Sequence, residues 1–369
     1  MSTHFFDLDR EQLVAFAEEH GFRRFIADQL MRWVYQRGIS DPEQMTDLSR
    51  VDRTRLTELM HFESARELTA QVASDGTRKL LLGWTDPTDK SQGALPQLGT
   101  GSTQETECVM IPADSRKTAC ISSQVGCPVG CRFCASGLGG LEGNLTRGRI
   151  VEQAWRLAQM PGVGRITNIV FMGMGEPLAN YPNVIGAIRT LNASWGLGIG
   201  ARRITVSTVG VPSAIRRLAR FEVPVTLALS LHAPNDELRK EIIPWAQRVT
   251  IQEILDACSE YFASSGREIT LEYILLGSVN DQAEHARELA GLAKSLRANV
   301  NLIRYNEVEG LPFLRPVSSD VHRFQALLRD RGVNAHIRAS RGRDIDAACG
   351  QLRHKHKQGE GAEDSQKSA

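Results

Sequence analysis

The sequence predicts an α/β protein: a partial (β/α)6 barrel preceded by a small helical domain. Three observations lead there. From Ala119 onward, strand-like runs alternate with helical ones, and repeated βα units build a parallel sheet covered by helices. The first sixty residues instead place their apolar side chains at helical spacing. Between the two regions lie a hairpin pattern and a stretch rich in Gly, Ser, Thr, Pro and Gln, which reads as a linker.

Taken in order, Glu11 to Glu19 reads as a short helix. Phe25 to Gln36 reads as a second, with Phe25, Ile26, Leu30, Trp33 and Val34 at helical spacing and Gly38 as its stop. Met45 to Leu59 reads as a third, and residues 1–62 together form an accessory domain. Leu68 to Ala73 and Arg78 to Trp84 flank Ser74-Asp75-Gly76, a hairpin turn by composition. With Asp86 to Thr103 as a flexible loop and a strand pattern resuming at Glu107 to Pro112, residues 63–112 lead into the core. The barrel is expected over 113–353. Its strands are Ala119–Ser123, Ile166–Met172, Arg203–Thr208, Val225–Leu231, Glu268–Leu276, Asn299–Tyr305 and Asn334–Ala339. Its helices are Ile150–Gln159, Tyr181–Asn192, Pro212–Ala219, Ile251–Phe262, Gln282–Leu296 and Ser318–Arg331. Residues 354–369 are polar and small, and are expected to be a disordered tail.

The chain has 369 residues, 41% hydrophobic and 24% charged, as an ordinary globular protein does. No run approaches the roughly 18 apolar residues of a membrane span. Met1 to Arg10 carries Asp7 and Asp9 and lacks the basic start of a secretory signal, so a cytoplasmic location is expected. A net charge of +1 neither demands nor excludes a nucleic-acid partner. Locally, Arg338, Arg341, Arg343, Arg353, Lys355 and Lys357 stand against only Asp344 and Asp346. Such a stretch can contact phosphates, and a solvated face would look the same.

Five of the seven cysteines fall between positions 108 and 134, a clustering that suggests a metal site or thiol chemistry rather than a disulfide framework. Cys127-Pro-Val-Gly-Cys131-Arg-Phe-Cys134 has the spacing C-x3-C-x2-C and falls in the first βα connection. Structural zinc takes four ligands. A cubane iron–sulfur cluster bound by three cysteines leaves one iron open, and an open iron can chelate the amino and carboxylate groups of S-adenosylmethionine (SAM) and pass it an electron. A zinc knuckle completed by a distant ligand, and plain buried cysteines, remain alternatives at this point.

C-x3-C-x2-C in the first βα connection resembles the signature of radical SAM enzymes. Cys120-Ile-Ser-Ser-Gln-Val-Gly-Cys127, Gly173-Met-Gly-Glu-Pro177, Ser230-Leu-His-Ala-Pro-Asn235 and Asp344-Ile-Asp-Ala-Ala-Cys-Gly-Gln-Leu352 extend the likeness. They resemble the RlmN/Cfr family of RNA adenine methyltransferases, and its RlmN branch more closely. Arg32-Trp-Val-Tyr-Gln-Arg-Gly38 and Gln44-Met-Thr-Asp-Leu-Ser49 resemble that family's helical N-terminal domain. The resemblance implies a radical SAM barrel, a 4Fe-4S cluster on Cys127, Cys131 and Cys134, and two SAM per turnover. It implies SAM contacts from Gly175, Glu176, Ser207, Ser230, Leu231, His232 and Asn306. The strand-end rule agrees independently: Gly173–Pro177, Ser207, Ser230 with His232, and Asn306 each follow or end a predicted strand, where ligands collect in parallel sheets. By itself a Gly-rich turn is equally a structural turn, and a lone histidine is more often structural. Around Asn306 the sequence Ile303-Arg-Tyr-Asn-Glu-Val-Glu-Gly310 departs from the family's proline-flanked pattern but keeps the Asn and the Gly.

Nothing in spacing pairs Cys120 with Cys349, and a buried free cysteine is the default for each, as it is for Cys108 and Cys258. The resemblance implies that Cys349 carries a methyl group and Cys120 resolves the product. Cys349 takes the methyl from one SAM, with Arg341, Arg343 and Arg353 favouring its thiolate. A 5′-deoxyadenosyl radical from a second SAM removes a hydrogen from it, and the carbon radical adds to carbon 2 of an adenine. Loss of the ring proton to Glu107, then attack by Cys120, releases methyladenine and leaves a transient Cys120–Cys349 disulfide. Without the resemblance, Glu107 reads as an exposed strand residue. The implied partners are 23S rRNA and transfer RNA, an external electron donor and a disulfide reductant, with the enzyme a monomer and no membrane involved. Residues 1–60 hold eight basic and eleven acidic residues, so any grip on RNA is local, through Arg23, Arg24 and Arg32. Three alternatives stand beside this reading: a carbon-8 methyltransferase like Cfr, a non-catalytic zinc-knuckle RNA-binding protein, and a radical SAM enzyme acting on a small molecule or peptide.

Overall fold

The computed structural model describes residues 2–84 and 104–352. The loop expected over 86–103, the tail expected over 354–369, and Arg353 of the basic stretch lie outside the described residues. Strand β1 (Thr3–His4) opens the N-terminal module. Helix α1 (Arg10–Glu19) follows, started by a capping box between Asp9 and Gln12. Helix α2 (Phe25–Met31) runs into a π-helical turn over Arg32–Gln36, and Gly38 adopts a φ of +70° beyond it. The third helix is shorter than expected: α3 spans Arg50–Leu59 because the Ser49 side chain accepts from the Asp52 amide and caps it there. Met45 and Leu48 are buried all the same, from the turn before it. Strand β2 (Met60–His61) returns beside β1 in parallel.

The predicted hairpin forms from β3 (Ala65–Val72) and β4 (Arg78–Trp84), and β5 (Gln104–Ala113) pairs antiparallel with β4. Strand β6 (Arg116–Cys120) is antiparallel to β5 and begins the parallel region. Its connection to α4 (Arg147–Gln159) contains a two-stranded hairpin, β7 (Gln124–Gly126) with β8 (Leu141–Asn144), which the sequence reading did not foresee. There follow β9 (Asn168–Phe171), α5 (Tyr181–Asn192), β10 (Ile204–Thr208), α6 (Pro212–Leu218) and β11 (Thr226–Ser230). The chain continues through α7 (Asp236–Ile242), α8 (Ile251–Ser265), β12 (Thr270–Leu275), α9 (Ala283–Leu296), β13 (Asn299–Arg304), α10 (Ser318–Arg329) and β14 (Ala335–Arg338).

One sheet of ten strands results, in the order β14-β13-β12-β11-β10-β9-β6-β5-β4-β3. From β6 through β9 to β14 every pairing is parallel, which is the partial barrel that the alternating pattern predicted. The sheet stays open, with β14 and β3 at its edges. Apolar faces of the helices and the sheet share one core with the N-terminal module. Trp155 of α4 packs against Phe6 and donates from Nε1 to the Val34 carbonyl at 2.9 Å. No helix among the described residues is long and apolar enough to cross a membrane.

Glu152 of α4, wholly buried, ties the module down electrostatically. It accepts from the Ser64 amide and hydroxyl and the Ala65 amide, pairs with Arg156 at 2.8 Å, and stands 3.3 Å from His4 Nε2. Burial opposes its charge, but His4 and Arg156 prevail and pull its carboxyl down to about 2. For His4, burial opposes the charged ring, but Asp7 and Glu152 outweigh it and raise its pKa. The depressed carboxyl contributes stability above the unfolded carboxylate range that is lost as pH falls toward 2. The raised imidazole contributes stability below about 6.5 that is lost as pH rises through its folded value. Glu152→Gln is therefore expected to cost about 2 kcal/mol and to flatten both limbs of the melting-temperature profile, measured by thermal denaturation from pH about 2 to 8. An unchanged profile in the variant would refute this.

Candidate active site

Cys127, Cys131 and Cys134 lie in the loop spanning β7 and β8, so the first βα connection holds them at the tip of a hairpin and not directly before a helix. The loop is fixed by its backbone: Cys127 N donates to the Gly140 carbonyl at 2.8 Å, Arg132 N to Ile242 at 3.0 Å, and Cys134 N to Cys131 at 3.1 Å. All three cysteines line one cavity of about 160 Å³. Among the described residues no group of three or more His, Cys, Asp and Glu side chains is set to hold a single metal ion. Three thiolates in one chamber can hold three irons of a cubane cluster and leave the fourth open.

Burial pushes the Cys127 thiol up to about 12 and raises Cys131 and Cys134 as well. Local donors work the other way. The amides of Val129 and Gly130 favour a Cys127 thiolate, and those of Ser136 and Gly137 favour one at Cys134. Beside Cys131 sits Arg239, a fully buried guanidinium whose pKa burial lowers to about 10. It donates to the carbonyls of Leu231 and Val209. Its role was not legible in the sequence, where Arg239 is one charge among several on a short polar helix.

The Gly173–Pro177 turn leaves β9 and is sewn to residues 122–124. Met174 N donates to Ser122 Oγ at 2.8 Å, Ser123 N to the Met174 carbonyl at 2.9 Å, and Glu176 N to Gln124 Oε1 at 2.8 Å. A Cβ on Gly173 would fall 2.6 Å from Ser122 Oγ, and one on Gly175, whose φ is +101°, would fall 2.7 Å from Gln124 Cβ. These two glycines are therefore required by packing. Glu176 accepts from the amides of Leu178 at 3.0 Å and Val209 at 2.7 Å. Burial still holds its carboxyl up at about 7.

Gly175, Glu176, Ser207, Ser230 and His232 all line the chamber of the three cysteines. Ser207 Oγ and Ser230 Oγ are 3.0 Å apart. His232 has a positive φ of 59°, and its Nδ1 accepts from the Ile274 amide at 3.1 Å. Burial takes its pKa down to about 3, so the ring is neutral with its proton on Nε2. Leu231 is not in the chamber wall: its side chain is in the main core and its carbonyl receives Arg239. Asn306 lines a smaller adjoining cavity of about 60 Å³, beside Cys120 and Cys349, and its Nδ2 donates to the Cys349 carbonyl at 3.4 Å.

Cys349 lines both cavities, as do Met172, Ile303 and Arg338. The segment after β14 carries it there. Gly342 N donates to Asp75 Oδ2 at 3.1 Å, Ser74 N to Asp344 at 2.8 Å, and the Gly350 carbonyl receives Ala135 N at 2.8 Å. The segment thus runs from the β3–β4 turn to the cysteine loop. Cys120, at the end of β6, packs with Val109, Met174, Ala347 and Leu352, and burial, with Cys349 second, pushes its thiol up to about 12. Arg338 lines both cavities with Cys349, and that thiol is the main influence raising the Arg338 pKa. Arg341 lines only the smaller cavity and pairs with Asp75 at 3.9 Å, and Arg343 is exposed. Glu107 is only 4% exposed and lies 2.8 Å from Lys79 Nζ, whose ammonium also reaches the Asp346 carbonyl. It lies on the same face of β5 as Val109, which is paired with Cys120, but it is in the wall of neither cavity.

A partial parallel barrel whose first connection brings three cysteines against a Gly-Met-Gly-Glu turn defines a radical SAM enzyme, and residues 121–290 match the Radical SAM superfamily. Residues 3–62 match the ribosomal RNA large subunit methyltransferase N-terminal domain. The chain is 44% identical over 352 residues to the "Probable dual-specificity RNA methyltransferase RlmN" of Rhodopirellula baltica, covering 95% of this chain and 91% of that one. It is 44% identical to the "Dual-specificity RNA methyltransferase RlmN" of Halorhodospira halophila, covering 94% and 92%. The crystal structure of a radical SAM methyltransferase from Sphaerobacter thermophilus superposes with a TM-score of 0.88 at 40% identity, covering 95% and 99%. The chain belongs to the RlmN family of radical SAM RNA methyltransferases.

Proposed function

We propose that this chain methylates carbon 2 of an adenine in 23S rRNA and in transfer RNA, with Cys349 as methyl carrier and Cys120 as resolving thiol. The observation that carries the reading is Cys349 in the wall shared by two cavities, one lined by Cys127, Cys131 and Cys134 and the other by Cys120. We assign Cys127, Cys131 and Cys134 to a 4Fe-4S cluster, and Gly175, Glu176, Ser207, Ser230, His232 and the backbone at Leu231 to SAM, with Asn306 at the seam between the cavities. Bound there, these groups supply methyl groups and a 5′-deoxyadenosyl radical, with two SAM consumed per turnover.

The remaining steps belong to the chain. Cys349, beside the Arg338 guanidinium, takes a methyl group onto its sulfur by displacement. Having lost a hydrogen atom, the S-bound carbon joins adenine carbon 2. The adduct gives up one electron, for which the 4Fe-4S cluster would be the acceptor, and passes its ring proton to Glu107, which Lys79 holds in place. Cys120 then attacks the Cys349 sulfur, the carbon leaves with the bonding pair and is protonated, and a disulfide remains for an external reductant to reopen. Residues 1–62 serve as the RNA-gripping accessory domain, and the protein acts as a monomer with an external electron donor. A carbon-8 reaction would use the same steps, and product analysis separates the two. Expressed in bacteria lacking their own adenine carbon-2 methylation, the chain is expected to yield 2-methyladenosine in nuclease digests of rRNA and tRNA by mass spectrometry. Digests containing 8-methyladenosine instead, or neither product, would overturn the assignment.

A further inference from the structure

Glu272 lies in the wall of the larger cavity and has no part in the steps above. It is 4% exposed and sits in register between Ser230 of β11 and Asn301 of β13. Asn301 Nδ2 donates to its Oε1 at 3.0 Å. Its Oε2 is buried without a hydrogen-bond partner. Arg338, in the wall of the same cavity, is the cation whose field reaches it. A buried carboxylate oxygen left unpaired is costly, and such a group is accounted for when a ligand brings the missing donor. Ser207 and Ser230, 3.0 Å apart through their hydroxyls, lie in the same wall. This part of the chamber thus offers two hydroxyls and one unclaimed acceptor.

We propose that Glu272 Oε2 binds an adenosine, accepting a hydrogen bond from a ribose hydroxyl or from the exocyclic amine. The inference rests on the reading of this cavity as the SAM chamber. Two sources could present an adenosine there: SAM itself, or the target nucleotide of the RNA turned out of its stack.

The local hydrogen bond provides the test. In Glu272→Gln the amide oxygen must face Asn301 Nδ2, so the amide nitrogen faces the cavity and a donor replaces the acceptor. Adding Asn301→Asp gives the glutamine nitrogen an acceptor, turns the amide over, and returns an oxygen to the cavity. Cluster-reconstituted wild type, E272Q and E272Q/N301D would be titrated anaerobically with SAM and, separately, with a transfer RNA transcript, alongside thermal melts to establish that each variant is folded. E272Q is expected to weaken one titration about tenfold or more, and the double variant to recover it. Loss in the SAM titration identifies the cofactor's adenosine as the ligand, and loss in the RNA titration alone identifies the target nucleotide. E272Q that binds both as wild type does, or a loss that the double variant fails to restore, overturns the role of Glu272. Wild type that fails to bind SAM overturns the chamber reading instead.

Discussion

Cys120→Ala protein purified from cells is expected to arrive with RNA covalently attached through Cys349. In the proposed sequence, every step up to the adduct uses Cys349, Arg338 and the larger cavity, all of which the variant leaves intact. Only the last step, breaking the bond between the Cys349 sulfur and the transferred carbon, needs a second thiol. Cys120 lines the small cavity with Cys349 and is the other cysteine there. Alanine keeps the packing against Val109, Ala347 and Leu352 close to the original and removes only the nucleophile. Catalysis is therefore expected to stop after one adduct per protein, with no multiple turnover. Nuclease digestion and mass spectrometry should find one nucleotide on the peptide bearing Cys349. Cys108→Ala and Cys258→Ala serve as controls: both thiols belong to the main core and line neither cavity, so both variants should turn over normally and carry no RNA. RNA-free Cys120→Ala protein that still turns over would eliminate the resolving role.

The three-cysteine loop was legible because its spacing is local: the eight consecutive positions 127–134 decide that three thiols share a loop. The barrel was legible for a similar reason, since each βα unit announces itself through its own periodicity. Cys120 and Cys349 are a different case. They meet because β6 starts the parallel sheet while the segment after β14 runs from the β3–β4 turn back to the cysteine loop, a path set by Asp75, Asp344 and Gly350 contacts. No local pattern encodes that path, so resemblance alone could pair them. The same holds for charge. The sequence offered several arginines near Cys349 and no way to rank them. The fold ranks them by position: Arg338, at the end of β14, lines both cavities, whereas Arg341 lines only the smaller one and pairs with Asp75. Glu107 was expected to be exposed without the family likeness, and its burial follows from the segment after β14, whose Ala347 and Leu352 pack with Val109 on the same face of β5.

Arg338→Gln should slow methyl uptake by Cys349 about tenfold or more, the scale of one lost charged contact, because this guanidinium shares both cavity walls with that sulfur. Arg338 has Cys349 as the foremost influence on its charge, ahead of Glu272 and Cys120. A guanidinium so placed favours negative charge on the sulfur proposed as the nucleophile. Glutamine retains much of the length and some of the hydrogen bonding but none of the charge. The cost should therefore follow the charge and not the shape, and a second variant separates the two. If charge is what is lost, alkylation of Cys349 by iodoacetamide stays fast in Arg338→Lys and is slow in Arg338→Gln. If Arg338 only props up the fold, both variants are slow. Arg341→Gln, whose partner is Asp75, should leave the rate unchanged. A wild-type rate in Arg338→Gln at neutral pH would mean that the thiolate is favoured by something other than this guanidinium, and the assignment of Arg338 would fall.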